Sequence, residues 1–249
     1  MKLLRTWVFY ISLLTGAHSV SGQEVAVADS LQTVVLDSLD IKQKTPISLR
    51  FGADLYRIIR SRASDDYQGF EAVADLRIRE NLFLAAEVGN EEITKQFEQV
   101  NFTTKGTYYK VGFDLNMYDN WEGMDNHVIL GLRLASSSHS QFLNSYTLLD
   151  RAPFWQDPET EITSGFASGE RLNLNAYWLE IITGFKVQLL NNIYLGLSLR
   201  LNRLISDTVP DNFDNIHIPG FNKKTEENKF GASFNYTLTY RIPFQFKNN

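Results

Sequence analysis

Serine and histidine side chains occur side by side in the run Ser136-Ser137-Ser138-His139-Ser140. A hydroxyl whose proton is removed by a nearby imidazole is the nucleophile of many hydrolases. Neighbouring side chains on an extended strand point to opposite faces, however, so adjacency alone does not bring the two groups together. The histidines at 127 and 217 are too scattered along the chain to indicate a metal site. The sequence therefore predicts no catalytic residues, no metal and no cofactor, with a hydrolase at His139 kept as an alternative.

The charged residues have a more regular spacing, because many of them occupy alternate positions in eight segments that are otherwise apolar. In the fourth segment, residues 109–117, apolar side chains alternate with Lys110 and Asp114. A period of two residues is the pattern of a β-strand with one polar and one apolar face. Prolines lie between these segments or at their ends, as a hydrogen-bonded ladder requires. The sequence therefore predicts eight strands.

The connections between these strands are short at one end of the sheet and long at the other. The short connections are residues 79–81, 118–126 and 190–192. The long connections, rich in Ser, Asn, Asp and Gly, are residues 59–67, 93–105, 137–173 and 206–228. An up-and-down meander with this asymmetry is typical of outer-membrane barrels, whose long loops face outward. The predicted fold is all-β, an eight-stranded antiparallel up-and-down transmembrane β-barrel.

Alternation alone does not say which face lies inside, because a soluble lipocalin-like barrel would turn its apolar face inward. Glycines stand repeatedly on the polar parity, where crowding inside a narrow barrel favours them. The apolar parity extends over about ten residues, the length of a tilted strand that crosses hydrocarbon. Aromatic residues near the strand ends predict two interfacial girdles. The girdle residues would be Tyr118, Trp121, Tyr240, Phe244 and Phe246 at the turn end, and Phe70, Tyr108, Tyr109, Tyr177, Trp178 and Phe230 at the loop end.

If the polar face lines the interior, its charges must neutralise one another, because an isolated buried ion is strongly destabilising. Cations and carboxylates are almost equal in number on this face, which predicts an ion-pair network that fills the lumen and leaves no large pore. The predicted members are Arg50, Asp54, Glu71, Asp75, Arg77, Glu87, Lys110, Asp114, Arg133, Glu180, Lys186, Arg200 and Arg241.

The composition excludes several classes of protein. The 249 residues include no cysteine, so a disulfide framework, a thiolate metal site and a cysteine nucleophile are excluded. The formal net charge of −5 argues against a nucleic-acid partner, since such proteins concentrate Lys and Arg into a basic face.

The N-terminal region predicts export. Residues 1–22 have a short cationic start, an apolar run and a small-residue end, the order of a secretory signal peptide. Residues 23–46 show no sustained period and are predicted to form a flexible periplasmic segment. The barrel domain then comprises residues 47–249.

The alternating strands, the turn asymmetry and the aromatic last strand, residues 234–244, resemble the small eight-stranded outer-membrane barrels of Gram-negative bacteria. More narrowly, they resemble uncharacterised barrel proteins of Bacteroidota. The resemblance covers residues 48–246 and implies an outer-membrane location, contact with outer-membrane lipid and recognition by the barrel-assembly machinery during biogenesis. The last strand departs from the usual form, because the chain continues to Asn249 instead of ending on an aromatic residue.

The connection 137–173 carries more apolar residues than a solvated loop needs. It is expected to fold over the barrel mouth or to contact an envelope protein, with Phe154, Trp155 and Phe166 as the contacts. The expected role is structural or one of interaction, exerted through the loops or as an accessory subunit of an envelope assembly. The alternatives are a lipid-modifying enzyme at the outer rim and a soluble ligand-binding barrel.

Overall fold

The alternating segments form long antiparallel strands in the computed structural model, which describes residues 47–120, 124–149, 159–162, 170–209, 215–223 and 229–243. The predicted signal peptide and periplasmic segment lie outside the described residues, as do Phe154, Trp155 and Phe166. The elements are β1 Ser48–Asp54, α1 Leu55–Ala63, β2 Tyr67–Arg79, β3 Leu82–Gln96, β4 Val100–Asn116, β5 His127–Leu149, β6 Glu159–Ile162, β7 Glu170–Leu190, β8 Ile193–Asp207, β9 His217–Ile218, β10 Asn222–Lys223 and β11 Phe230–Pro243.

Within the described residues, eight of these strands close into one barrel. Strands β1, β2, β3, β4, β5, β7, β8 and β11 each pair antiparallel with their neighbours in this order. The last strand returns to the first, with Ser48 opposite Pro243 and Asp54 opposite Thr237. The prediction of an all-β, eight-stranded antiparallel up-and-down barrel is therefore confirmed. The short β6 pairs with the far end of β5, and β9 pairs with β10 in a separate hairpin.

The two faces of the barrel wall differ in the way that the alternation predicts. On β4, Val111 is 57% exposed and Phe113 is also exposed, whereas Lys110 and Asp114 are each 1% exposed. Successive side chains of a strand point to opposite faces, so this strand turns its apolar residues outward and its charges into the lumen. The same division holds on β8, where Leu199 points outward and Arg200 inward.

Several strands extend beyond the predicted limits. The predicted connection 93–105 is mostly strand, because β3 and β4 meet at a turn over residues 97–99, where the Phe97 N–H donates to the Val100 carbonyl at 2.8 Å. Likewise β5 extends to Leu149 and occupies part of the predicted connection 137–173. Hydrophobic alternation ends where the outward face becomes polar, but the backbone ladder does not depend on that alternation and continues.

The first strand is shorter than predicted, since it ends at Asp54 and the chain turns into helix α1. Asp54 caps this helix, because its Oδ1 accepts a hydrogen bond of 2.9 Å from the Tyr56 N–H. None of the described helices is long and apolar enough to cross a membrane. Helix α1 places the Arg57 side chain among the inward carboxylates Glu71 and Glu91.

Candidate functional site

The inward charges form a connected set of ion pairs along the barrel, here called the lumen network. Glu87 lies at its centre, 2.6 Å from Arg200 Nη1 and 3.3 Å from Arg133 Nε. Glu180 also accepts from Arg200 Nη1, at 3.1 Å, and lies 3.0 Å from Lys110 Nζ. These buried side chains come from five different strands, so the network joins parts of the wall that are distant in the chain.

A second branch of the lumen network lies nearer the short turns. Asp75 bridges two cations, with its Oδ1 2.5 Å from Arg50 Nε and its Oδ2 2.7 Å from Lys186 Nζ. Asp114 links this branch to the centre, because it lies 2.8 Å from Arg133 Nη1 and 3.7 Å from Lys186 Nζ. Each carboxylate therefore has more than one cationic neighbour, which offsets the cost of burying it.

A third branch lies towards the long connections and includes neutral donors. Glu71 accepts from the Tyr108 hydroxyl and from Asn235 Nδ2, each at 2.6 Å, and its Oε2 is 3.4 Å from Arg57 Nε. Asn235 also donates to Asp54 Oδ2 at 2.8 Å. Because Asp54, Glu71 and Asn235 belong to β1, β2 and β11, this branch lies across the seam where the barrel closes.

A separate group of charges, the turn-end cluster, surrounds Asp125 in the connection between β4 and β5. Arg77 Nη2 donates to Asp125 Oδ1 at 2.8 Å, and Arg241 Nη1 donates to its Oδ2. The Tyr194 hydroxyl donates to Oδ2 at 2.6 Å, and His127 Nε2 lies 3.2 Å from Oδ1. One carboxylate therefore joins the turn ends of β2, β5, β8 and β11.

The structure places all the sequence-predicted charged residues in the lumen network or the turn-end cluster. It adds Arg57, Glu91 and Asp125 to them. Sequence reasoning missed Arg57 and Asp125 because both lie in connections, outside the alternating pattern. Glu91 continues the inward parity just past the predicted end of the third strand, and extending that parity by one more inward position would have found it.

Little free space remains between these side chains. A cavity of about 30 Å³ lies among them, enough for roughly two waters. Its lining includes Asp75, Glu87, Asp114, Lys186, Ser198 and Thr237. The middle of the lumen is thus occupied by its own side chains, as the diameter of an eight-stranded barrel requires.

The loop end of the lumen is filled by residues 215–223, here called the plug hairpin, which contain β9 and β10. Ile218 and Phe221 are fully buried, and the Phe221 ring packs edge-on against Trp178 at a centroid distance of 5.8 Å. Glu91 holds the hairpin by accepting from the Gly220 N–H at 3.0 Å and lying 3.3 Å from His217 Nε2. This part of the connection 206–228 therefore turns inward, where an outward-facing loop was expected.

Two aromatic residues expected in the outer girdle lie inside the barrel. Tyr108 and Trp178 are fully buried, and both donate hydrogen bonds to lumen carboxylates. Their placement in the girdle was wrong because each precedes or follows an outward aromatic, Tyr109 or Tyr177, and must point the other way. Large aromatic side chains that face the lumen help the plug hairpin to seal it.

The serine and histidine of the run 136–140 do meet, but as residues two positions apart on the inward face. Ser137 Oγ lies 3.4 Å from His139 Nδ1, and His139 Nε2 lies 3.1 Å from Asn215 Oδ1 in the plug hairpin. The order hydroxyl, imidazole and orienting amide is that of an activated nucleophile. All three side chains are buried, however. The contact therefore fixes the plug hairpin and does not present a hydroxyl to a substrate.

Substitution of Gly220 by Ala should loosen the plug hairpin. Gly220 has a φ of +81°, and a Cβ there would lie 2.7 Å from the Tyr108 ring, so both the backbone and the space oppose a side chain. We expect a loss of about 1–3 kcal/mol in unfolding free energy and faster proteolytic cleavage near residue 220. Gly231→Ala is the milder comparison, because its backbone has no positive φ and its Cβ would lie 3.3 Å from the nearest atom, the Phe221 carbonyl oxygen. Equal cleavage of both variants would contradict this account of the plug hairpin.

The turn-end cluster should make stability depend on pH. Burial alone would raise the pKa of Asp125. The pKa nevertheless lies well below its usual range, because His127 and Tyr194 donate hydrogen bonds to the carboxylate and Arg77 places a positive charge beside it. A carboxyl with a lowered folded-state pKa stabilises the protein above its unfolded pKa of about 3.9, and this contribution is lost as the pH falls. Asp125→Asn should therefore lower the free energy of unfolding by about 1.5–3 kcal/mol at pH 6. The difference in unfolding free energy between the variant and wild type should become smaller as the pH falls from about 4 to 2. Urea unfolding in detergent at each pH measures this free energy. A difference between variant and wild type that stays constant with pH would show that protonation of Asp125 does not control stability.

The model of a family described as "Domain of unknown function (DUF6048)" matches residues 4–247. No curated protein matches the sequence. The chain is similar to the crystal structure of Neisserial surface protein A (NspA), with 12% sequence identity and a TM-score of 0.36. The match covers 80% of this chain and 95% of that one. A major outer membrane protein from Thermus thermophilus is 11% identical, with a TM-score of 0.36 over 79% of this chain and 98% of that one.

Proposed function

The chain belongs to the family described as Domain of unknown function (DUF6048), and we propose that it is a bacterial outer-membrane barrel with a filled lumen. In this proposal the protein acts through its external surfaces, in a structural or interaction role, and not as a channel. The observation that carries the proposal is a band of exposed apolar side chains on a wall whose inward face is charged.

The height of this band approaches that of the apolar band of outer-membrane barrels. On β4 the outward residues from Tyr109 to Met117 are apolar and exposed. The eight steps from Tyr109 to Met117, at about 3.3 Å each, extend roughly 26 Å along the strand. This corresponds to roughly 20 Å along the axis of a barrel whose strands tilt by about 40°. Outer-membrane barrels have an apolar band of about 25 Å. In water, exposed apolar area of this extent would promote aggregation, so a lipid environment accounts for it better.

The filled lumen supports a role other than conduction. Glu87 and Glu180 lie between cations from opposite walls, and the plug hairpin covers the loop end. A channel that selects ions needs a continuous water-filled path lined by one sign of charge. Ion pairs of both signs across the axis oppose such a path.

Membrane fractionation combined with conductance tests the proposal. We expect the full chain to remain in the outer-membrane fraction after carbonate washing, to need detergent once extracted and to migrate differently in gels before and after boiling. Purified protein in a planar lipid bilayer should give no steady conductance. Recovery as a stable monomer in water would favour the soluble ligand-binding barrel instead, and steady conductance would exclude the filled lumen.

The finer part of the proposal concerns partners. With the lumen occupied, the surfaces outside the membrane are what the protein offers to others, and we propose that it serves as an accessory subunit of an envelope assembly in Bacteroidota. Phe154, Trp155 and Phe166 are the proposed contacts. Affinity purification from cross-linked membranes should recover a subunit with wild type that Trp155→Ser fails to recover. Recovery of the same proteins by both would overturn the assignment of Trp155, and occurrence of the family in other phyla would overturn the restriction to Bacteroidota.

A lipid hydrolase is the second candidate, favoured only by the contact between Ser137 and His139. Replacement of His139 by Ala should leave the acylation of lipid A and phospholipid unchanged if the contact serves the plug hairpin. Mass spectrometry of extracted lipids measures this. A shift in acyl-chain number that His139→Ala abolishes would establish the enzyme.

A further inference from the structure

A groove of about 610 Å³ with a mixed polar and apolar lining lies on the outside of the barrel, across β2, β3, β4 and β5. Its outward-pointing polar lining, here called the outer groove, consists of Gln68, Asn90, Glu92, Lys105, Thr107 and Ser138. The exposed ring of Phe70 forms one wall. Ser61 of α1 and Glu91 also line the groove, and Glu91 is the carboxylate that holds the plug hairpin from the inward face.

The strand register fixes the height of the outer groove relative to the apolar band. Asn90 stands opposite Phe70 on one side and opposite Thr107 on the other, and Thr107 stands opposite Ser138. The next outward row towards the short turns contains Ala72, Val88 and Tyr109. On β2, β3 and β4 the outward residues therefore change from apolar to polar directly beneath the groove, whereas on β5 the polar residues begin one position earlier, at Ser136 opposite Tyr109.

The chemistry of the outer groove is that of neutral hydrogen bonding with balanced charge. Lys105 Nζ lies 2.9 Å from Glu92 Oε2, so its positive charge is already paired. Asn90 Oδ1 accepts from the Phe70 N–H at 3.1 Å, which orients the amide NH2 of Asn90 away from that bond. Amides, hydroxyls and a paired ion beside an aromatic ring suit a sugar ring, which has hydroxyls at its edge and C–H groups on its faces. A phosphate would need unpaired cations, and an acyl chain would need an apolar lining.

We propose that the outer groove binds the carbohydrate headgroup of a glycolipid in the outer leaflet. This inference rests on the proposed function, because the apolar band must lie among acyl chains for a headgroup to reach the groove. With Tyr109 at the upper edge of the hydrocarbon, the row that contains Asn90 and Thr107 lies about 5 Å higher, at headgroup level. A lipid whose acyl chains lie along the band then presents its first sugar to these side chains.

Native mass spectrometry of the full chain in detergent tests the proposal with three probes: purified rough lipopolysaccharide, phosphatidylethanolamine, and the free oligosaccharide of the same lipopolysaccharide. Wild type should retain lipopolysaccharide at least tenfold better than phosphatidylethanolamine. The double variant Asn90→Leu/Thr107→Val should lose about tenfold of that retention, and Lys105→Ala alone should lose a smaller part. Ser206→Leu is the matched control, because it replaces an exposed polar side chain on β8, two strands away from Ser138.

The outcomes separate the groove from the barrel proposal. If wild type needs detergent and changes its gel migration on heating, yet retains both lipids equally, the groove assignment fails while the proposed function stands. Equal losses of lipopolysaccharide retention in the double variant and in Ser206→Leu would also overturn the groove assignment. Binding of the free oligosaccharide as tightly as the lipopolysaccharide would show a soluble glycan site and so overturn the glycolipid site. If the protein is a monomer in water without detergent, the proposed function itself fails.

Discussion

Replacement of Glu87 by Gln should lower the free energy of unfolding by about 3–5 kcal/mol. Glu87 is the carboxylate between Arg133 and Arg200 at the centre of the lumen, and it is nearly the same size and shape as glutamine. The substitution therefore removes a charge without creating a cavity, and it leaves buried guanidinium groups with too little negative charge beside them. Urea unfolding in detergent micelles, followed by tryptophan fluorescence, measures the loss.

Two further variants identify the cause of that loss. Glu92→Gln removes the carboxylate of an exposed pair with Lys105 and should cost less than about 1 kcal/mol. Adding Arg200→Met to Glu87→Gln removes one unbalanced cation and should restore about 2 kcal/mol. A double variant as unstable as the sum of its two single variants would mean that packing, and not charge balance, holds the centre of the lumen together.

Replacement of Leu199 by Arg should cost about 2–4 kcal/mol in unfolding free energy from a lipid bilayer. Leu199 is 62% exposed in the middle of the outward face of β8, so an arginine there would meet no steric obstacle within the protein. The loss of unfolding free energy would come from placing the charged arginine side chain in the hydrocarbon of the bilayer. The unfolding of protein reconstituted in phosphatidylcholine vesicles measures the effect.

The matched control lies on the same face of the same strand. Ile205 is also an exposed aliphatic residue, but it stands beyond Arg203, which is the first outward charge on β8. Ile205→Arg should therefore cost only about 0–1 kcal/mol. If Leu199→Arg and Ile205→Arg were equally harmless, the exterior would face water, and the membrane assignment would be wrong.

The barrel itself was predictable from the sequence because its wall is encoded by a local rule. Alternation on a strand such as β4 reports directly which residues share a face, and the short turns report the order of pairing. That rule loses its information where both faces become polar. The predicted strands therefore stopped near Gly89 and Tyr109, although the ladder between β3 and β4 continues to Gln96 and Asn101.

The helix and the plug hairpin were not predictable by the same rule, because distant residues hold them in place. Glu91 and His217 are separated by 126 positions in the chain, and nothing near His217 in sequence indicates that contact. Arg57 likewise enters the lumen only because α1 turns back at Asp54. By contrast, the inward positions of Tyr108 and Trp178 were available from parity and were missed because aromatic type was given more weight than position.

For a barrel that resides in a membrane, as proposed above, the seam between β1 and β11 has a consequence for entry into the bilayer. Asn235 reaches Asp54 and Glu71 only when the first and last strands are together. In an open sheet these carboxylates would lose their shared amide partner, and the charged face of every strand would be open to acyl chains at the free edges. Such an intermediate is strongly disfavoured in hydrocarbon. Insertion and joining of the two terminal strands should therefore occur as one concerted event, with the chain entering as a nearly complete cylinder.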